Sequence, residues 1–156
     1  AFDSVEEVLD EAKKSAEVTH NHPEGIEGAQ ATALAIFLAR KGNDKNDIRN
    51  EIEGRFGYIL DRTVDKIRAA YSYDISCIGS VPESIIAFLN SKDYEDTIRN
   101  AISLGGDSDT MACIAGGIAQ AYYEDIPEEI IEEVRKELSD ELLDIIDDFC
   151  STYNLG

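Results

Sequence analysis

Tryptophan is absent from this 156-residue chain, and proline and cysteine occur three times each, histidine twice. Positive charge is scarce as well: 14 lysines and arginines stand against 33 aspartates and glutamates, a formal net charge of −19 at pH 7. That balance argues against nucleic acid as a partner, because a phosphate backbone would be repelled rather than neutralised. Cys77, Cys113 and Cys150 lie far apart without a C-x-x-C pair. Neither a disulfide framework nor a thiolate zinc site is therefore expected, and a reducing, cytoplasmic setting is. No apolar run reaches the ~18 residues of a membrane span, and no basic stretch leads into an apolar leader, so no membrane partner or signal peptide is expected. The opening Ala1-Phe2-Asp3 lacks an initiator methionine, as expected of a processed chain or a piece of a longer one. The length predicts one domain over 1–156 that can enclose a core without covalent staples.

What remains is apolar residues at helical spacing. No run of alternating β-branched residues bounded by turns makes a strand, so the fold class is all-α. Ser4-Val5-Glu6-Glu7 reads as a capping box for a first helix ending near Glu17, with Val5, Val8, Leu9, Ala12 and Ala16 as its apolar stripe. A second helix over Ala29 to Ala39, apolar almost all round, should be buried on every side and stop at Gly42. Asp44 or Asn46 caps a third that stops at Gly57, and Thr63 caps a short fourth. Pro82 suits the first turn of a fifth. Asp93 opens a sixth, with Tyr94, Ile98, Ala101 and Ile102 inward and Gly105-Gly106 as its end. A largely apolar helix then starts at Asp107, and two acidic amphipathic helices follow Pro127 and Ser139. The small-residue segments Ala29 to Ala39 and Ala112 to Ala121 suit close packing at the centre, and Cys77 and Cys113 read as small core residues.

Two clusters could carry chemistry. Gly105-Gly106-Asp107-Ser108-Asp109-Thr110 sets two carboxylates and two hydroxyls at a helix start, and a single cap would satisfy the helix. Capping and metal binding are both open readings. Asp107, Asp109 and Thr110 offer hard oxygen ligands, suited to Mg²⁺, Mn²⁺ or Ca²⁺ rather than Zn²⁺. They make an incomplete shell. The second cluster, Thr19-His20-Asn21-His22-Pro23-Glu24-Gly25-Ile26-Glu27-Gly28, holds both histidines beside a helix entry. H-x-H alone does not make a zinc site. Gly25 and Gly28 admit either a ligand or a neighbouring backbone, and free N–H groups there favour an anion such as a pyrophosphate.

In these words the chain resembles the ADP-ribosylglycohydrolase family, which includes the dinitrogenase reductase-activating glycohydrolases, the ADP-ribosyl-acceptor hydrolases and the J1 lens crystallins. The words are Thr19 to Gly25 with Gly28-Ala29-Gln30-Ala31, then Ser80-Val81-Pro82-Glu83 with Ala87-Phe88-Leu89, then Gly105 to Thr110, in order from about Ala12 to Pro127. The resemblance implies an orthogonal multi-helix bundle and a binuclear Mg²⁺ or Mn²⁺ site that binds ADP-ribose and hydrolyses its glycosidic bond to an acceptor. Asp107, Asp109 and Thr110 match half of the family's metal ligands. His20 matches the histidine lining the ADP-ribose cleft, with Gly25 and Gly28 near it.

Complete members are about twice as long and carry a Gly-rich opening, a Thr-Asp-Asp metal triad and an acidic catalytic residue in an N-terminal half. None of these is present here. Asp147-Asp148, the one adjacent Asp pair, reads as solvated surface. The chain is thus expected to be the C-terminal half of such a hydrolase, with the binuclear centre formed only in the complete site, no catalytic residue of its own identified, and little activity alone. Two other readings stand beside it: an inactive paralogue that binds ADP-ribose or a nucleotide, and a crystallin-like structural protein. The surface left by missing helices predicts self-association or a bound N-terminal fragment.

Overall fold

The computed structural model describes residues 2–74 and 76–153, and among these every regular element is an α-helix. The chain divides into two compact units, Ala1–Asp125 and Ile126–Gly156.

In the first unit, α1 (Val5–Glu17) opens on the expected capping box: the Ser4 hydroxyl accepts the Glu7 amide at 3.3 Å, and the Glu7 carboxylate accepts the Ser4 amide at 3.3 Å. Two otherwise orphaned donors are satisfied at once. The helix lies on α2 (Pro23–Arg40), whose Gln30 side chain donates to the Leu9 carbonyl at 2.9 Å. Pro23 holds the first position of α2, where a missing N–H costs nothing. Asp44 caps α3 (Lys45–Phe56) and Gly57 ends it at φ +69°, while Thr63 caps the short α4 (Val64–Arg68).

The centre of the unit is α5 (Cys77–Leu89), buried without a break from Ser80 to Leu89. Here the structure departs from the sequence reading. The helix begins at Cys77, not at Pro82, because the Ser76 hydroxyl caps it by accepting the Gly79 amide at 3.1 Å. Pro82 sits inside the helix and leaves the Ile78 carbonyl, in the exposed first turn, without an intrahelical donor. The buried Ser80 and Ser84 hydroxyls donate to the carbonyls of Ser76 and Ser80 at 2.8 and 2.7 Å, so enclosure strands neither.

Helices α2, α6 (Tyr94–Ser103) and α7 (Ser108–Tyr123) surround α5. Asp93 caps α6, and Gly105 and Gly106, at φ +75° and +68°, turn the chain into α7. Gly116 lets α6 and α7 close on each other: a Cβ there would lie 2.9 Å from the Ile98 Cδ1. Three further expectations are corrected. Ile102 is 53% exposed, whereas Thr97 and Ala101 are buried and Tyr94 and Ile98 lie half-buried against α7. Cys113 is exposed on α7, whereas half-buried Cys77 packs on the core as expected. Helix α2 is not enclosed on every side; Gly28, Ala31, Leu34, Ala35 and Ala39 are buried, while Ala29, Thr32, Ala33 and Ile36 remain half-open.

The second unit is α8 (Glu128–Glu137) and α9 (Asp140–Tyr153), neither of which buries a residue. The Arg135 guanidinium grips the Asp147 carboxylate through two hydrogen bonds of 2.9 Å, which holds that carboxyl below its ordinary range. Asp147 is thus an exposed, paired residue.

An enclosed helix leaves carbonyls at its end, and those of α5 meet Lys45 from α3. Its ammonium donates to the Phe88 carbonyl at 2.8 Å, to the Ser91 carbonyl and to the Tyr123 hydroxyl at 2.9 Å, and lies 4.8 Å from the Phe88 ring centroid. Lys45→Met should lower stability by about 1–3 kcal/mol, the cost of leaving buried acceptors unpaired, as read from urea unfolding midpoints. Burial pushes Lys45 down from 10.5 to about 8, with Asp96 acting the other way. Between those values the unfolded chain keeps a proton that the folded chain has released, so this group's contribution to stability rises with pH. From about pH 8 to about pH 10 the wild type should therefore gain stability relative to Lys45→Met; equal slopes would contradict the shift.

Candidate functional site

The turn Gly105-Gly106 delivers Asp107 to the N-cap of α7 at φ −80°, ψ 63°, and its side chain makes no cap hydrogen bond. Capping is therefore not what the Asp107 carboxylate does. Asp107 and Ser108 are half-buried, Asp109 and Thr110 exposed. The amides of Asp109 and Thr110 hold the Asp109 carboxyl below its ordinary range, and the Asp107 side chain lies near enough to add to the shift. Two carboxyl groups thus adjoin at the positive end of a helix, where negative charge is favoured. With Thr110 they offer three hard-oxygen side chains, the chemistry that Mg²⁺ and Mn²⁺ take. Among the described residues no three His, Cys, Asp or Glu side chains converge, so this donor set fits part of a coordination shell and does not fill one.

The second cluster lines a cavity of about 560 Å³, within the ~300–1,000 Å³ range of small-molecule sites. Ala12, Ser15 and Ala16 of α1 form one wall and Gly25, Gly28, Ala29, Thr32, Ala33 and Ile36 of α2 another; Thr19 and His20 stand at one end, and Cys77, Val81 and Ile114 close it from α5 and α7. The half-open side of α2 is this cavity. Exposed His20 meets the Thr19 hydroxyl through Nδ1 at 2.8 Å, while its backbone N–H donates to the Ala16 carbonyl at 2.7 Å, which fixes the loop. His22, the N-cap of α2, makes no side-chain cap bond, so the first-turn amides of α2 have no side-chain partner there.

Both glycines make close packing contacts. A Cβ on Gly25 would lie 3.0 Å from the His20 carbonyl oxygen, and one on Gly28 would lie 3.1 Å from the Cys77 Cβ and 3.2 Å from the Val81 Cγ2. Both positions still border the cavity. His20, Gly25 and Gly28 are therefore brought together, whereas Asp107, Asp109 and Thr110 do not line the same space. Helix α7 links the groups: Thr110 and Ile114 are one turn apart on one face, and Ile114 is in the cavity wall.

A model of the ADP-ribosylglycohydrolase family matches residues 1–155. The chain belongs to that family. It is 30% identical to ADP-ribosylhydrolase ARH3 of Mus musculus over 175 aligned residues, 82% of this chain and 47% of that protein. To ADP-ribosylhydrolase ARH3 of Homo sapiens it is 29% identical over 175 residues, 82% of this chain and 48% of that protein. The chain thus spans about half the length of these family members.

Sequence reasoning gave no contact to Glu83, which enters only as part of a motif word. Glu83, 8% exposed within α5, receives the Arg62 Nη1 at 2.9 Å. A carboxylate inside an otherwise apolar helix was the available signal, since a buried charge requires a partner. Cys77 and Ile114 carry no such signal, because wall positions depend on how helices distant in sequence meet. Gly28→Val should cost about 1–3 kcal/mol by overpacking against α5. A lowered thermal midpoint with unchanged helical circular dichroism at 20 °C would bear this out, and an unchanged midpoint would contradict the packing.

Proposed function

We propose that this chain supplies the C-terminal part of the site of an ADP-ribosyl hydrolase. The observation that carries this reading is the pairing of a cavity bordered by His20, Gly25 and Gly28 with the neighbouring Asp107 and Asp109 carboxyls, of which Asp107 makes no cap bond, joined through α7. His20 would contact ADP-ribose at the open end of the cavity. The first-turn amides of α2 would donate to the pyrophosphate, offsetting the repulsion expected from a chain at −19. Asp107, Asp109 and Thr110 would hold Mg²⁺ or Mn²⁺, one half of a binuclear centre. Bound there, the ion supplies Lewis-acid and templating chemistry. The carboxylate that activates water is assigned to the other half of the site, since no residue here is identified for it, and this chain alone should turn over little or nothing.

A second reading, binding of ADP-ribose or another nucleotide without turnover, is favoured by the incomplete donor set among the described residues. Calorimetry separates the readings. Mn²⁺ should release heat with the wild type and little with Asp109→Ala, and ADP-ribose should bind His20→Ala about tenfold more weakly, the loss of one or two polar contacts. The same Mn²⁺ heat in both proteins would remove the metal assignment. ADP-ribose bound without product, even after an N-terminal half is added, would favour the second reading. Apolar residues border a groove of about 390 Å³ along α1 and α2, among them Phe2, Val8, Ile36 and Phe37. On this reading the chain should self-associate or capture a separately supplied N-terminal portion; a strictly monomeric sedimentation profile with no hydrophobic-dye binding would count against it.

A further inference from the structure

Asp107 reaches its position without a cap bond, so α7 itself does not fix that carboxylate. The restraint lies in the turn before it. Gly106, at φ +68°, rests on the edge of Tyr71: a Cβ added there would lie 2.8 Å from the Tyr71 Cε1 and 3.6 Å from Cδ1, with the Tyr73 Cα at 3.5 Å on another side. The Tyr71 hydroxyl donates to the Gly79 carbonyl in the first turn of α5 at 3.0 Å, so the same ring is tied to the enclosed helix. Burial first, then the charges of Glu83, Asp74 and Asp107, raises the Tyr71 hydroxyl above its ordinary range and keeps it a neutral donor. Glu83 is in turn held by Arg62.

We infer that Tyr71 is a positioning residue whose ring, anchored on α5, holds the Gly105-Gly106 turn and thereby sets where Asp107 and Asp109 present their oxygens. The inference rests on the metal reading above and extends it to a side chain that offers the ion no ligand. The geometry divides the work: the ring edge supports Gly106, and the hydroxyl secures the ring to α5. Loss of the edge frees the turn, whereas loss of the hydroxyl loosens the start of α5 first.

The test measures amide hydrogen exchange and Mn²⁺ affinity on the full chain, for wild type, Tyr71→Leu, Tyr71→Phe, Asp109→Ala and Lys45→Met. Tyr71→Leu keeps apolar bulk so that the chain folds, and it should speed exchange at residues 107–111 by about tenfold and weaken Mn²⁺ by a similar factor. Tyr71→Phe should speed exchange at residues 79–81 while leaving Mn²⁺ affinity within about threefold, the rescue expected if the ring edge matters most. Lys45→Met, which loosens the fold elsewhere, should lower the thermal midpoint without either local effect. Unchanged exchange at 107–111 in Tyr71→Leu, or a uniform acceleration like that of Lys45→Met, overturns the inference while leaving the metal reading intact. Mn²⁺ binding that is equal in wild type and Asp109→Ala removes the metal reading, and with it the assignment to Tyr71 whatever the exchange shows.

Discussion

A helix enclosed along its length must find partners for its terminal carbonyls inside the protein, and in α5 that partner is the Lys45 ammonium. The cost of desolvating a cation is met in part by the Phe88 and Ser91 carbonyls, the Tyr123 hydroxyl and the Phe88 ring, and the remainder shows in the lowered pKa of Lys45. Around it Thr97 donates to the Ser91 hydroxyl at 2.7 Å, and Ser91 donates to the Phe88 carbonyl at 2.6 Å, so the buried polar groups at this end form a closed set. Without that closure a buried run from Ser80 to Leu89 would carry orphaned acceptors into an apolar interior.

The enclosure of α5 is also what gives the candidate site its frame. The N-terminal turn of the helix supplies the cavity wall through Cys77 and Val81 and receives α2 at Gly28. The same turn accepts the Tyr71 hydroxyl and, through that ring, steadies the approach to α7. Both clusters thus refer to one rigid element while belonging to helices that flank it. Their candidate side chains remain at or near the surface, and their backbones are set by contacts underneath.

The features legible in the sequence are those decided locally. The caps at Ser4, Asp44, Thr63 and Asp93, and the stop at Gly57, need only neighbours within one turn, and all of them form. The proximity of His20, Gly25 and Gly28 follows from a single contiguous word. Pro82 was misplaced because its local preference for a first turn is outweighed by the Ser76 cap and by burial of the whole segment. The open side of α2 could not be read, since alanines look alike whether or not another helix covers them. Helical spacing points Ile102 inward and residue type points Cys113 inward, but the angular position of a helix against its neighbours decides such residues. Tyr71 carried no signal, because the glycine it supports is remote in the chain and its partner on α5 is a backbone carbonyl.

Among the described residues, no buried side chain lies beyond Ala121. Within the second unit the Arg135–Asp147 clasp ties α8 to α9. With no residue buried, α8 and α9 should be cut by proteases acting on the native protein before α5 is. A nucleotide seated against α2 would raise the melting temperature of the enclosed bundle, because it binds the folded state alone.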